Sequence, residues 1–344
     1  MPRSASARTH FNDPLPALGV SGVEAVCAGE ILVDVIPREV GPYREGTLLE
    51  VHFGGAPANV AVGVARLGRR SAFVGSVGKD PFGDMLAEYL ASEGVYTGWL
   101  ARKDARTSLA FVVAKPQGER DFFFYRPPWV ATADAMLEDG DVDWEAVRKV
   151  KVVHVSGVAL SQPPLRDTVL KLMEVARSAG AHVSLDPNYR ADIWLGGVER
   201  ARLEFKSALQ RSTVVMLGYD EMEPLLGTSD YREAAEKLLS MAPHLEYAAV
   251  RLGSRGAYVA TRRGERVLVE AFKVPVVDTT GAGDAWAAGF IVFALLEGRS
   301  LHEAVLLSNA VAAVKCTRRG ATAGMPRRSE LRAFLEERGV RVEL

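Results

Sequence analysis

Two aspartates, two threonines and two glycines crowd into Asp278-Thr279-Thr280-Gly281-Ala282-Gly283-Asp284. Gly281 and Gly283 let a backbone turn tightly and approach a ligand. The apolar run 285–296 that follows predicts a helix. Its first N–H groups and positive dipole end would face the turn, which makes an anion site, and phosphate is the usual anion. A carboxylate at that helix start, Asp284, would be repelled by such a ligand. Two readings account for it. Asp284 caps the helix, a role aspartate fills well. Or it is a general base beside a phosphoryl group, taking the proton of an attacking hydroxyl.

Other polar residues stand at the ends of apolar segments. Asp186, Asn188 and Arg190 follow a predicted strand at 182–185, Glu221 follows one at 213–217, and Gly253 and Gly256 follow one at 247–252. With the turn at 278–284 these make four clusters, too many to explain as solvated loops. Glu30 and Asp34 interrupt a β-branched run at 25–36, read as the first strand, and a buried carboxylate needs a partner or a polar ligand. A second glycine turn, Gly54-Gly55-Ala56-Pro57-Ala58-Asn59, opens a helix at 60–67 and places the Asn59 amide at its start.

The elements that must position these residues alternate. Strands at 71–77, 152–156, 182–185, 213–217 and 247–252 are interspersed with helices at 83–94, 164–178 and 231–241. Such a pattern specifies an α/β fold with a mostly parallel central sheet and helices on both faces. In that architecture ligands sit beyond the carboxyl ends of the strands. A hairpin is expected within 257–272, a helix carrying Asn309 at 301–315, and an amphipathic helix at 329–337. Strands at 47–53, 108–114 and 121–125, the last two joined by a turn at 115–118, would form a small separate β-sheet. That sheet, built from about 37–53 and 106–128, would serve as a lid, a dimer surface or both. Tyr125 and Arg126 at its end would point into a polar pocket. Residues 1–24 are read as a flexible extension and 25–344 as the folded domain.

Composition narrows the partners. Forty-two Lys and Arg against 43 Asp and Glu leave a net charge of −1, so there is no electrostatic case for nucleic acid or an anionic membrane. No apolar run reaches the ~18–20 residues that span a bilayer. Cys27 and Cys316 are too few and too far apart for a paired-cysteine zinc site, and they fit a reducing cytoplasm. There is no P-loop, because Asp80 follows Gly78-Lys79 and Phe73 stands where the first glycine would be. The dinucleotide fingerprint also fails: Trp286 occupies the place of its third glycine, and the turn comes late in the chain. A nicotinamide oxidoreductase is therefore disfavoured.

Two stretches in order resemble the signatures of the ribokinase-like (PfkB) family of carbohydrate kinases. The first is Gly54 to Asn59 running on to Gly75-Ser76-Val77-Gly78-Lys79-Asp80-Pro81-Phe82-Gly83; the second is Asp278 to Asp284 with Gly289-Phe290. The resemblance covers roughly 25–337. It implies a ribokinase-like fold and ATP-dependent transfer of the γ-phosphoryl group to a sugar hydroxymethyl. By that resemblance Asp284 is the general base, and the N–H groups of Gly281, Ala282 and Gly283 form the anion hole. Asp34, Gly54, Gly55, Asn59 and Arg190 then contact the sugar, with Gly253, Gly256 and Asn309 beside the nucleotide. Glu221 orders Mg2+ through water, and Asp278 and Thr280 hold a monovalent cation such as K+. Gly218 stands where the family's magnesium motif has asparagine, and Arg251 stands where many relatives carry a hydroxyl residue.

Within the family the chain resembles fructokinases most, in GGAPAN at 54–59, SLAFV at 108–112, FYRP at 124–127 and DPN at 186–188. 2-Keto-3-deoxygluconate kinases share Tyr125, Arg126 and Arg190, and a second arginine would suit a sugar-acid carboxylate. Nucleoside kinases are a further alternative. A sugar-binding regulator with weak catalysis is the reading from another class, and the intact Asp284 and glycine turn argue against it. The small sheet suggests a homodimer, since paired sheets would cover each other's edges.

Overall fold

The computed structural model describes residues 22–39, 41–114 and 120–344. Nine strands among them form one sheet, in the order Arg266–Val269, Ala257–Thr261, Tyr247–Arg251, Val214–Gly218, His182–Asp186, Val152–Ser156, Ala25–Ala28, Ser71–Gly78 and Leu100–Lys103. From Tyr247–Arg251 to Leu100–Lys103 every neighbour is parallel, and the edge hairpin is antiparallel. Strands such as Val152–Ser156 are buried along their whole length, which is why they read as unbroken apolar runs. The helices Leu165–Ser178, Gly197–Leu209 and Tyr231–Met241 pack in one core; Ala56–Arg66, Ala282–Phe290, Leu301–Cys316 and Arg328–Glu336 pack in the other. This is the α/β fold expected from the sequence.

Strand order reverses beside Ala25–Ala28: the next strand of the sheet lies on one flank, and Val152–Ser156 with its successors on the other. A crevice opens at such a switch point, outside the carboxyl ends of the strands.

The run at 25–36 is two strands, not one. Gly29 takes φ 142°, a value few side-chain-bearing residues adopt, and the chain leaves the main sheet there. Leu32–Pro37 then joins a second sheet of order Leu49–Gly54, Leu32–Pro37, Leu109–Ala114, Arg120–Tyr125. The expected turn at 115–118 and most of the expected extension at 1–24 lie outside the described residues.

Alternation sorts the small sheet into two faces. Leu32, Asp34, Ala110, Phe122 and Phe124 face the crevice. Phe111, Phe123 and Tyr125 pack together on the other side, with the Phe111 and Phe123 rings 4.9 Å apart and stacked. Leu49 and Val51 are exposed there too.

The turn at 278–284 starts its helix earlier than the apolar run suggested. Helix Ala282–Phe290 has Gly281 at its N-cap with φ 76°, and wider π-type turns continue over Ile291–Leu296. Asp284 is thus the third helical residue and does not cap the helix. The preceding run 274–277 is not a strand, and Val276 and Val277 are mostly exposed. Helices Ala56–Arg66 and Pro81–Ser92 also begin before their apolar stripes, because Pro57 and Pro81 suit the first turn. Gly289 fixes the depth of the Asp284 helix. A Cβ there would lie 2.9 Å from the Cα of Ser308, so the two helices cross at backbone contact.

Candidate active site

A cavity of about 920 Å3 runs along the carboxyl edge of the main sheet, roofed by the inner face of the small sheet. Five strands deliver residues to it: Glu30 after Ala25–Ala28, Val158 after Val152–Ser156, Asp186, Asn188 and Arg190 after or at the end of His182–Asp186, Gly218 to Glu221, and Arg251 with Gly253. The N-terminal turn of helix Ala282–Phe290 lines the same cavity.

Asp284 lies on the cavity wall. Asn59 Nδ2 donates to Asp284 Oδ2 at 2.8 Å, joining the two glycine turns across 225 residues of sequence. Burial pushes the Asp284 carboxyl up to about 6, with the charge of Asp186 adding to the rise. The Asn59 hydrogen bond and the charges of Arg251 and Arg190 pull the other way. A carboxylate that titrates near 6 is ionised at neutral pH and still a competent proton acceptor.

The anion site differs from expectation by one donor lost and one gained. The N–H of Ala282 donates to the Thr279 carbonyl at 3.0 Å and is closed to a ligand. Among the described residues the N–H groups of Gly281, Gly283 and Asp284 have no backbone partner, so these are the open donors. Arg251 stands close behind: a Cβ on Gly283 would lie 2.9 Å from Arg251 Nη1. A positive guanidinium thus approaches the turn where only a glycine leaves room.

Asp34 and Asn59 line the cavity at its small-sheet end. Gly54 does not line it. A Cβ there would sit 2.6 Å from the Asp34 carboxyl, so Gly54 makes room for Asp34. Gly55 lines the wall at φ 102°. Asn59 Oδ1 is buried without a hydrogen-bond partner. Arg190 lines the wall with its guanidinium 5.8 Å from the Phe122 ring centroid.

Two expected residues do not come to the site. Tyr125 is on the outer face of the small sheet and 51% exposed. Its neighbour Phe124 takes the inward position, since successive strand residues face opposite ways. Arg126 is fully buried. Its Nε and Nη2 bond Asp134 Oδ2 at 3.1 and 3.0 Å, its Nη1 bonds Ser161 Oγ at 3.2 Å, and Ser108 and Thr132 complete the Asp134 shell. This arginine is structural.

At the other end of the cavity, Arg251 makes a two-pronged pair with Asp186 at 2.6 and 3.0 Å. Glu221 accepts from the N–H groups of Tyr189 at 2.6 Å and Gly218 at 2.7 Å. Burial, then the charge of Asp186, raises the Glu221 carboxyl above its ordinary value. Gly253, Gly256 and Asn309 line the cavity. The Asn309 amide is already spent on Trp286, Val269 and Glu270, so it braces the wall rather than offering donors. Asp278 is buried behind the turn while Thr280 lines the cavity. Cys27 is buried, but Cys316 reaches the cavity wall. Sequence reasoning gave no site role to Arg251 or Phe122, and named Glu30 only as a carboxylate needing a partner or a polar ligand. Phe122 was findable, because two-residue alternation from Phe124 reaches it.

With this geometry in view, comparison with known proteins is decisive. A family model described as pfkB family carbohydrate kinase matches residues 24–328. The chain belongs to that family. Probable fructokinase-7 of Arabidopsis thaliana is 38% identical over 312 residues, spanning 88% of this chain and 89% of that one. Fructokinase-1 of Oryza sativa subsp. japonica is 37% identical over 320 residues, spanning 90% and 97%. Among solved structures, a fructokinase with bound ATP from Xylella fastidiosa aligns with TM-score 0.81 at 30% identity, covering 92% of this chain and 99% of that one. A Vibrio cholerae O395 fructokinase in its fructose-, ADP- and calcium-bound form aligns with TM-score 0.80 at 31% identity, with the same coverage. This pfkB kinase is accordingly a phosphotransferase acting on a sugar hydroxyl, and its phosphoryl donor is ATP. No helix among its described residues is long and apolar enough to cross a membrane.

Proposed function

We propose that the protein is a fructokinase that phosphorylates a hydroxymethyl group of fructose, with Asp284 as general base. The observation that carries this is the Asn59–Asp284 hydrogen bond at a helix N-terminus with open N–H groups, inside a cavity that also holds Asp34. Asp284 takes the proton of the attacking hydroxyl. The freed oxygen bonds to the γ-phosphorus as the bond from that phosphorus to the bridging oxygen breaks, and ADP leaves with those electrons. The N–H groups of Gly281, Gly283 and Asp284 meet the charge on the transferred group, which is where catalysis of this reaction is won.

Asp34 accepts from sugar hydroxyls, and Asn59, Gly55 and Arg190 complete the sugar end. The nucleotide lies toward Gly253, Gly256 and the wall braced by Asn309. Asp186, Asp220 and Glu221 line that same end. Their hard oxygens suit a Mg2+ ion that keeps its waters. Asp186 and Glu221 are already engaged by Arg251 and backbone N–H groups, so Glu221 would hold the ion through water, where it would offset phosphate charge. The small sheet acts as the lid. Its apolar outer face, with Val51, Phe111, Phe123 and Tyr125, supports a homodimer through that face, which light scattering would show as twice the monomer mass. A reducing compartment such as the cytoplasm suits the free Cys27 and Cys316.

Fructose is favoured over a sugar acid because Arg126 is consumed by Asp134, leaving Arg190 alone of the two expected arginines at the cavity. The test is ADP release from MgATP with fructose, 2-keto-3-deoxygluconate, ribose and a nucleoside. The highest kcat/KM with fructose supports the assignment. Faster turnover of the keto-deoxy acid overturns it. Sugars that raise the melting temperature without stimulating ADP release would make the protein a binding regulator.

A further inference from the structure

We propose that the ε-ammonium of Lys315 fills the monovalent-cation position behind the anion site, so that this kinase needs no potassium. The inference rests on the sugar-kinase reading of the 278–284 turn, whose Asp278 and Thr280 are the residues expected to hold such a cation.

Lys315 is fully buried in the last turn of helix Leu301–Cys316. A lysine is almost never fully buried unless its charge is paired. Its Nζ donates to the Asp278 carbonyl at 2.6 Å, within the segment that enters the glycine turn. The Asp278 carboxylate supplies the countercharge. Its Oδ1 accepts from Thr280 N at 2.8 Å and its Oδ2 from Gly320 N at 2.9 Å. The Asp278 carboxylate is thus held by two backbone N–H groups while the carbonyl of the same residue takes the buried ammonium.

The ammonium sits where it can organise both backbone segments of the anion site. Val277 N and Asp278 N donate to the Cys316 carbonyl at 2.8 and 3.2 Å, tying the segment to the end of the lysine's helix. Gly281 packs on the following loop so tightly that a Cβ would lie 2.8 Å from the Ala321 Cβ. A hydrated cation recruited from solvent would supply charge and oxygen-seeking contacts at this place. A tethered ammonium supplies charge and three donors without a binding equilibrium. It also excludes a second cation: two like charges about 4 Å apart at an effective dielectric near 20 weaken binding on the order of a thousandfold.

The test uses the full chain with whichever sugar it turns over. Wild-type turnover in choline chloride should match that in KCl to within about twofold, and titration calorimetry with thallium(I), a potassium mimic, should show no site. Lys315→Met, which keeps the length and removes the charge, should lose turnover in choline chloride and recover it in KCl. Its melting temperature should rise in KCl relative to choline chloride, while that of the wild type does not. Severalfold activation of the wild type by KCl, or one thallium(I) bound per wild-type chain, overturns the proposal. Lys315→Met turnover that is low and indifferent to KCl overturns it as well. If Lys315→Met does not fold, the wild-type arms still decide. The calorimetric and melting arms require no turnover, so they stand even if fructose proves not to be the substrate.

Discussion

Removing the Asn59 amide should move the pH dependence of catalysis by an amount the geometry sets. Asn59 Nδ2 donates to Asp284 Oδ2 at 2.8 Å, and this bond lowers the proton affinity of a carboxyl that burial has raised to about 6. A hydrogen bond to a charged group is worth roughly 1.5–3 kcal/mol, and one pKa unit is about 1.36 kcal/mol, so Asn59→Ala should raise Asp284 by roughly one to two units. A general base works deprotonated. The wild-type acid limb of kcat/KM should therefore fall as pH drops through about 6, and that of Asn59→Ala should fall through roughly 7–8. Asn59 also lines the cavity, so the height of the variant's profile will drop at every pH. The diagnostic is the position of the limb, read from initial rates of ADP release over a pH series with fructose limiting. A lower profile whose limb stays at about 6 would refute the reasoning, because it would reduce Asn59 to a sugar contact with no hold on the base.

Three further substitutions separate the parts of the site. Asp34→Ala should raise the fructose Kd by roughly 10- to 100-fold, the loss of one or two hydrogen bonds to a charged acceptor, while leaving the Kd for ATP unchanged in calorimetry. Tyr125→Ser should leave the fructose KM unchanged, because the ring is on the outer face; a severalfold rise would return Tyr125 to the site. Arg126→Leu breaks a buried ion pair and strands Asp134, so it should cost about 3–5 kcal/mol of stability, seen as a lowered denaturation midpoint.

The proposed catalytic end of the site was legible because its chemistry is local. Asp284, Gly281 and Gly283 sit within four residues of one another, and the strands around them are unbroken apolar runs. What escaped depended on distant partners. Arg126 and Arg190 look alike in sequence, and only the arrival of Asp134, Ser108 and Thr132 buries the first. Arg251 looked like a departure from the family pattern; its partner Asp186 lies 65 residues away. Lys315 belongs to no motif, and its hydrogen-bond partner is a carbonyl 37 residues earlier. Tyr125 was different. Strand alternation forbids Phe124 and Tyr125 from sharing a face, so the sequence already held the signal. The run at 25–36 concealed the crossing between sheets because Gly29 breaks it without a change in apolar character on either side.

The account turns on one carboxylate, and Asp284→Asn tests it most directly, since amide and acid have the same shape. The prediction is a kcat for fructose lowered by roughly 10²–10⁴, the usual worth of a general base, with the fructose Kd from calorimetry nearly unchanged. Near-normal turnover by Asp284→Asn, with fructose still bound, would contradict it.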